Sequence, residues 1–140
     1  MPPVSFARHA LPAIAALLLA VNGGAAQAQA QTQASGIHRT VIKKADVSVP
    51  GREAVVARVE VDPGATAGRH SHPGDEISYV LEGEGELRID GEDPRRVKAG
   101  EAFVIPAGTI HDAINVGTGP LKLVGVYVVE KGKPLATPAK

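Results

Sequence analysis

The stretch GATAGRHSHPGDEISYVLEG, residues 64–83, places two of the five histidines of the chain one residue apart, before a Pro-Gly pair. Residues i and i+2 of a β-strand project to the same face, with Cα atoms about 6.5–7 Å apart. Two imidazoles at that spacing can converge on one ion, about 2.0–2.1 Å from each nitrogen. His70 and His72 are therefore candidate metal ligands, and the alternative is an ordinary polar strand end.

Two further side chains complete a candidate ligand set. If Pro73-Gly74 forms a tight hairpin turn, Glu76 in the next strand lies beside the two histidines. His111 is available at a distance, directly after the turn IPAGT, residues 105–109. The chain contains no cysteine, so any metal must be bound by histidine and carboxylate side chains.

Turn signals recur about every ten residues after residue 36, between short segments rich in Val, Ile and Leu, which predicts an antiparallel sandwich or barrel without long helices. Apolar and charged residues alternate in EAVVARVEVD (53–62) and ELRID (86–90), as expected for strands with one wet face. The segment LKLVGVYVVE (121–130) is apolar on both faces after Lys122. Either a second subunit or the chain's own tail must cover it, and we expect a homodimer.

Two motifs give this sequence its resemblance to the cupin superfamily. In the first motif, the matching positions are Gly64, His70, His72, Glu76 and Gly83. In the second, GEAFVIPAGTIHDAIN (100–115), they are Gly100, Pro106, Gly108, His111 and Asn115. The resemblance implies an all-β fold, a small conical β-barrel (jelly roll) of two antiparallel sheets, with one metal inside.

The same resemblance implies a role for each candidate ligand. His70, His72, Glu76 and His111 are similar to the four metal ligands of the family. Three neutral imidazoles and one carboxylate suit a divalent Fe, Mn, Ni, Cu or Zn ion, and the choice among these stays open. Glu76 is also the candidate catalytic base, because a ligating carboxylate can detach and take a proton. Some cupins lack ligands and bind no metal, which is the alternative.

The N-terminal segment resembles a secretory signal peptide. An apolar run at 11–21 precedes Ala-x-Ala cleavage sites, and the run is too short to span a membrane. We therefore expect a periplasmic or secreted protein, with an uncleaved amphipathic N-terminus or a signal anchor as the alternatives. The expected organisation is a signal peptide at 1–30, a disordered leader at 31–37, a cupin barrel at 38–132 and a C-terminal tail at 133–140. His38, at the start of the barrel, is expected to be solvated.

Composition narrows the expected partners. Lys and Arg balance Asp and Glu at 15 each, and aromatic residues make up only 3% of the chain, so neither nucleic acid nor a membrane is expected as a partner of the mature form. Strand alternation places Ser78, Val80, Ala113 and Asn115 on the cavity faces, with no Lys or Arg evident among the lining residues. This lining favours a small, largely apolar or aromatic substrate.

Two classes of function follow from these features. The first is a metal-dependent, dioxygenase-like oxidoreductase of the cell envelope, and the sequence favours an enzyme of this kind. The second is a non-catalytic module that binds a metal or a small ligand. A non-redox lyase or isomerase is a further alternative, because four side-chain ligands leave coordination positions open on a five- or six-coordinate metal.

Overall fold

The structure, a computed structural model, describes residues 35–140. The predicted signal peptide and residues 31–34 of the predicted leader lie outside the described residues. In the described part the strands are β1 (Ile37–Asp46), β2 (Arg52–Val61), β3 (His70–Ser71), β4 (Gly74–Glu82), β5 (Glu84–Ile89), β6 (Arg95–Lys98), β7 (Ala102–Ile105), β8 (His111–Asn115), β9 (Leu121–Glu130) and β10 (Thr137–Pro138). Thus β1 begins at the last residue of the predicted leader, and β10 lies within the predicted tail.

These strands form two antiparallel five-stranded sheets. The order in the first sheet is β1-β2-β9-β4-β7, and the order in the second sheet is β10-β3-β8-β5-β6. This jelly-roll arrangement confirms the predicted all-β fold. Over residues 35–140 the structure contains no helix that is long and apolar enough to cross a membrane.

The hydrophobic core follows the alternation of the sequence. In β2, Val55, Ala57, Val59 and Val61 are buried, while Arg58 between them is exposed. Alternate residues of a strand face opposite sides of the sheet, so this pattern directs every second side chain into the space between the two sheets. The main cluster of buried apolar residues comprises Ile37, Val59, Val61, Val80, Leu87, Ile89, Val97, Phe103, Ile105, Leu121 and Leu123.

The connection between β3 and β4 crosses from the second sheet to the first, so the predicted hairpin at Pro73-Gly74 is wrong. The two strands lie in different sheets and do not pair with each other; β3 pairs with β8 and β10, and β4 pairs with β7 and β9. Gly74 is required at this crossing because a Cβ atom there would lie 2.0 Å from the carbonyl oxygen of Val128. The crossing still carries Glu76 into the interior, where it is 5% exposed.

The apolar strand β9 lies between β2 and β4 in the first sheet. Its inward side chains Leu123, Tyr127 and Val129 are buried, and Leu135 of the C-terminal segment packs against the inner cluster that contains Tyr127 and Val129. On the other side of the sheet, the strand register aligns a second set of apolar side chains. We call this set the outer apolar face: Val56, Ile77, Tyr79, Val104, Val124 and Val126. On the inner side, by contrast, the chain's own tail covers part of β9 through Leu135.

Candidate metal centre

The structure brings together all four candidate ligands from three stretches of chain. His70 in β3 pairs directly with His111 at the start of β8, and Glu76 enters from β4. The potential donor atoms of His70, His72, Glu76 and His111, called here the donor cluster, all lie within 4.8 Å of one another. Donors on opposite sides of one ion lie about 4.2 Å apart at about 2.1 Å each. Small side-chain rotations therefore suffice for the cluster to hold one metal ion.

Backbone carbonyls fix the orientation of all three imidazoles. The Nδ1 atoms of His70, His72 and His111 lie 2.6, 2.6 and 3.0 Å from the carbonyl oxygens of Gly68, Leu135 and Thr109, respectively. A carbonyl oxygen only accepts, so each Nδ1 must donate its hydrogen. In a neutral ring this leaves a lone pair on Nε2, which is the form and the orientation that a metal ligand needs.

Two of these Nε2 atoms face the same carboxylate oxygen. Glu76 Oε2 lies 2.9 Å from Nε2 of His72 and 3.1 Å from Nε2 of His111. The buried Nε2 of His72 has no hydrogen-bond partner among the described residues, despite this short distance. A nitrogen lone pair and a carboxylate oxygen repel at such distances unless a proton or a metal cation lies between them; a proton on Nε2 of His111 makes that contact a hydrogen bond, whereas Nε2 of His72 lacks one. A metal cation bound by the cluster would supply that positive charge, so the residues fit a metal.

Burial and mutual contact also set the protonation states of the cluster. Burial lowers the pKa of His70 to about 4, and the neighbouring imidazoles act in the same direction. Burial raises the pKa of Glu76, but the neighbouring imidazoles of His111 and His72 outweigh this effect and hold the pKa of Glu76 well below its usual range. Burial lowers the pKa of His111, but the hydrogen bond with Glu76 reverses the sign and raises it. A neutral His70 and an ionised Glu76 at neutral pH are the forms that bind cations.

The second oxygen of Glu76 is held by a buried hydroxyl. Ser78 Oγ donates to Glu76 Oε1 at 2.6 Å, and Ser78 is fully buried. The prediction that Ser78 faces inward is therefore confirmed, although its hydroxyl contacts the Glu76 carboxylate and does not line the cavity. Because β4 places i and i+2 on one face, the spacing of Glu76 and Ser78 was the signal for this contact.

The second motif positions His111 through a tight turn. Gly108 has a φ of +75°, a left-handed conformation that glycine adopts without strain. Its N–H donates to the carbonyl oxygen of His72 at 2.9 Å. The turn before His111 is thereby joined directly to another residue of the donor cluster.

A cavity of about 30 Å³ adjoins the donor cluster, far below the roughly 300–1,000 Å³ of typical small-molecule pockets. Its lining is Arg39, Val59, Val61, Ala67, His70, Glu76, Leu87, Phe103, His111, Ala113, Leu123 and Tyr127. Ala113 lines it as predicted, whereas Asn115 donates to the carbonyl oxygens of Val61 and Gly119, at 2.8 Å each. The lining is largely apolar.

One residue of the lining corrects the sequence analysis. The expectation that no Lys or Arg faces the cavity is wrong, because Arg39 of β1 lines it. Both motifs begin beyond this strand, so they gave no indication of Arg39. The available signal was the spacing of Arg39 two residues from Ile37, which places both on the inward face. His38, on the opposite face, is exposed as predicted and lies 3.2 Å from Asp62.

Comparison with known proteins agrees with the fold and the donor cluster. The family described as Cupin domain matches residues 57–129, which span both motifs. The chain therefore belongs to the cupin family.

Individual similar proteins share only part of their length with the chain. An oxalate-binding protein of Thermotoga maritima is 35% identical over 74 residues, which cover 52% of this chain and 60% of that protein. A solved oxalate oxidase in complex with glycolate is 31% identical, with a TM-score of 0.59, over 74% of this chain and 55% of the oxidase. An uncharacterised double-stranded β-helix protein of Klebsiella pneumoniae is 25% identical, with a TM-score of 0.61, over 74% and 86%, respectively. The chain spans less than two thirds of the curated relatives that it matches.

Proposed function

We propose that this protein is a metal-dependent oxidoreductase, dioxygenase-like, which acts on a small molecule bound beside the donor cluster. The observation that carries the proposal is the convergence of two imidazole Nε2 atoms on Glu76 Oε2, at 2.9 and 3.1 Å. One divalent Fe, Mn, Ni, Cu or Zn ion suits this set of nitrogen and oxygen donors. Similarity to an oxalate oxidase structure supports the redox assignment.

Each part of the site has a separate task in this proposal. The metal, when bound, supplies open coordination positions and redox chemistry. The three histidines hold it, in tautomers fixed by the carbonyl oxygens behind them. Glu76 accepts a proton from the substrate at Oε2, while Ser78 keeps Oε1 in place.

The cavity limits the size and chemistry of the substrate. Apolar side chains, including Val59, Phe103 and Leu123, form most of its wall and exclude water from the reacting atoms. A volume of about 30 Å³ suits a ligand of few non-hydrogen atoms. The substrate proposed here is therefore small enough to fit within this wall.

The test is oxygen uptake by protein loaded in turn with Fe, Mn, Cu and Zn, with a panel of small acids, alcohols and phenols as substrates. We expect turnover with a redox-active metal, none with Zn, and a loss of about 10²-fold or more in Glu76→Gln. Equal turnover with Zn and without oxygen would instead indicate a lyase or isomerase.

The second candidate is a non-catalytic module that binds a metal or a small ligand. It is favoured by the similarity to a protein named for binding oxalate. A protein that binds ligands from the panel but consumes no oxygen with any metal would support this candidate over the enzyme.

We also propose that the protein works in the periplasm or outside the cell, after removal of residues 1–30. The basis is the apolar run and the Ala-x-Ala sites of the sequence. Mass spectrometry of the exported protein should give an N-terminus near residue 31, and an intact Met1 would contradict the proposal.

A homodimer through the outer apolar face is proposed as the working form. In that face Ile77, Tyr79 and Val104 are 44%, 48% and 57% exposed, and the register places them beside apolar side chains of β9. A contiguous exposed apolar patch indicates an interaction surface. The six side chains of the outer apolar face carry no charge, which favours a second copy as the occupant, since two such faces can meet without like-charge repulsion.

A further inference from the structure

Arg39 places a cation inside the barrel, beside the donor cluster. It lies on the edge strand β1, opposite the buried Val59 of β2, and follows Ile37 on the inward face. The same cavity is lined by His70, Glu76 and His111. A guanidinium on this face is unusual, because inward positions of small barrels are normally filled by apolar side chains.

The charge of Arg39 has no anionic partner within residues 35–140. No carboxylate of this part of the chain forms an ion pair with it, and its buried Nε lacks a hydrogen-bond partner there. The nearby Glu76 is already engaged through both oxygens, with Ser78 on one side and two imidazoles on the other. Arg39 is half-buried with its Nε fully buried, and a partly desolvated cation without an anionic partner is costly, so an arginine here favours binding of an anion.

An aromatic ring fixes the guanidinium next to the cavity. The Cζ atom of Arg39 lies 5.9 Å from the ring centroid of Tyr127, within the range of a cation–π contact. The Tyr127 ring in turn lies 4.8 Å from the His72 ring, between centroids. The guanidinium is thus positioned on one side of the cavity, with the donor cluster near it.

We infer that Arg39 binds a carboxylate group of the substrate, which makes the substrate a small carboxylic acid that spans the cavity between the guanidinium and the donor cluster. This inference rests on the proposed function, because the other end of the substrate would bind at the metal held by the donor cluster. The planar guanidinium can bind a carboxylate through two parallel N–H···O bonds, which a lysine cannot do. The cavity volume limits the acid to a few non-hydrogen atoms. Oxalate and glycolate, named with two of the similar proteins, are acids of this size.

The experiment measures binding by calorimetry, with acetate, glycolate and oxalate as probes, on full-length protein loaded with one metal. In Arg39→Met, which keeps the length of the side chain without its charge, we expect the dissociation constant of at least one acid to rise by about tenfold or more. For Arg39→Lys, the dissociation constant should lie between those of wild type and Arg39→Met. This variant serves as the test if Arg39→Met does not fold. Arg58→Met, on the exposed face of β2, is the matched control and should leave binding unchanged.

Two results would overturn the inference. One is a wild-type protein that binds none of the three acids, and the other is equal binding by wild type and Arg39→Met. Oxygen uptake is recorded separately, which distinguishes failure of the oxidoreductase proposal from failure of this inference. If only the oxidoreductase proposal fails, carboxylates still bind in an Arg39-dependent manner but no oxygen is consumed.

Discussion

Glu76 is held by side-chain contacts with Ser78, His72 and His111, and these partners were only partly evident from sequence. Motif spacing predicted that His70, His72 and His111 would accompany it, because ten positions match at fixed intervals. Neither motif marked Arg39 as a cavity residue, since it comes from a strand outside both, and only its spacing from Ile37 indicated the inward face. Nor could the sequence specify which carbonyl oxygens fix each imidazole, because these contacts depend on distant loops meeting in three dimensions.

The contact between Ser78 and Glu76 gives a first prediction. Ser78→Ala removes the hydroxyl that donates to Oε1, so the carboxylate gains rotational freedom and its alignment with the two imidazoles is lost. Loss of such an outer partner typically weakens metal affinity by about 10–100-fold. Competition with a chelator measures the affinity, and Ser48→Ala, in an exposed turn, is the control. Unchanged affinity in Ser78→Ala would show that the hydroxyl does not position the ligand.

Strand β10 and the residues before it attach the C-terminal segment to the metal-binding end of the second sheet. Thr137 and Pro138 pair with Ser71 and His70, respectively, and Leu135 provides the carbonyl oxygen that accepts from His72 Nδ1. Alternating apolar patterns predicted the long strands correctly, for example β2 and β9. Two-residue strands such as β3 and β10 carry no such pattern, so they could not be predicted. The crossing between sheets at Gly74 was also missed, because Pro-Gly pairs signal a turn of either kind.

Two truncations separate the role of the Leu135 carbonyl from that of β10. A chain ending at Pro134 loses both, so His72 is free to rotate and metal affinity should fall by about 10–100-fold. A chain ending at Ala136 keeps the Leu135 carbonyl and should lose less affinity. Titration of each truncated protein with metal under chelator competition gives the comparison. Equal affinity of all three forms would mean that the segment has no part in orienting His72.

The two sheets enclose the donor cluster on their inner sides, while the first sheet exposes the outer apolar face. The enclosure of the donor cluster was predictable, because the motif residues and the alternating apolar residues lie on the same inward faces of the strands. The extent of the outer apolar face could not be predicted, because it depends on the register between β4, β7 and β9, which the sequence pattern alone does not determine. If two copies meet through this face, Ile77 is near its centre.

Substitution within this face should change the oligomeric state. Light scattering coupled to size exclusion should give twice the chain mass for wild type and a single chain mass for Ile77→Lys, because a buried unpaired charge opposes association. Val49→Asp places a charge on an exposed apolar residue of a turn, and it should remain a dimer. A monomeric wild type at micromolar concentration would exclude the proposed interface.

The most direct measurement is the metal content of protein exported with its own N-terminal segment and purified without added metal. Elemental analysis should find about one transition-metal ion per chain in wild type, and little or none in His72→Ala and His111→Ala variants that keep the fold by circular dichroism. A metal-free wild type that cannot be loaded, or equal metal content in the folded variants, would contradict a metal centre formed by His70, His72, Glu76 and His111.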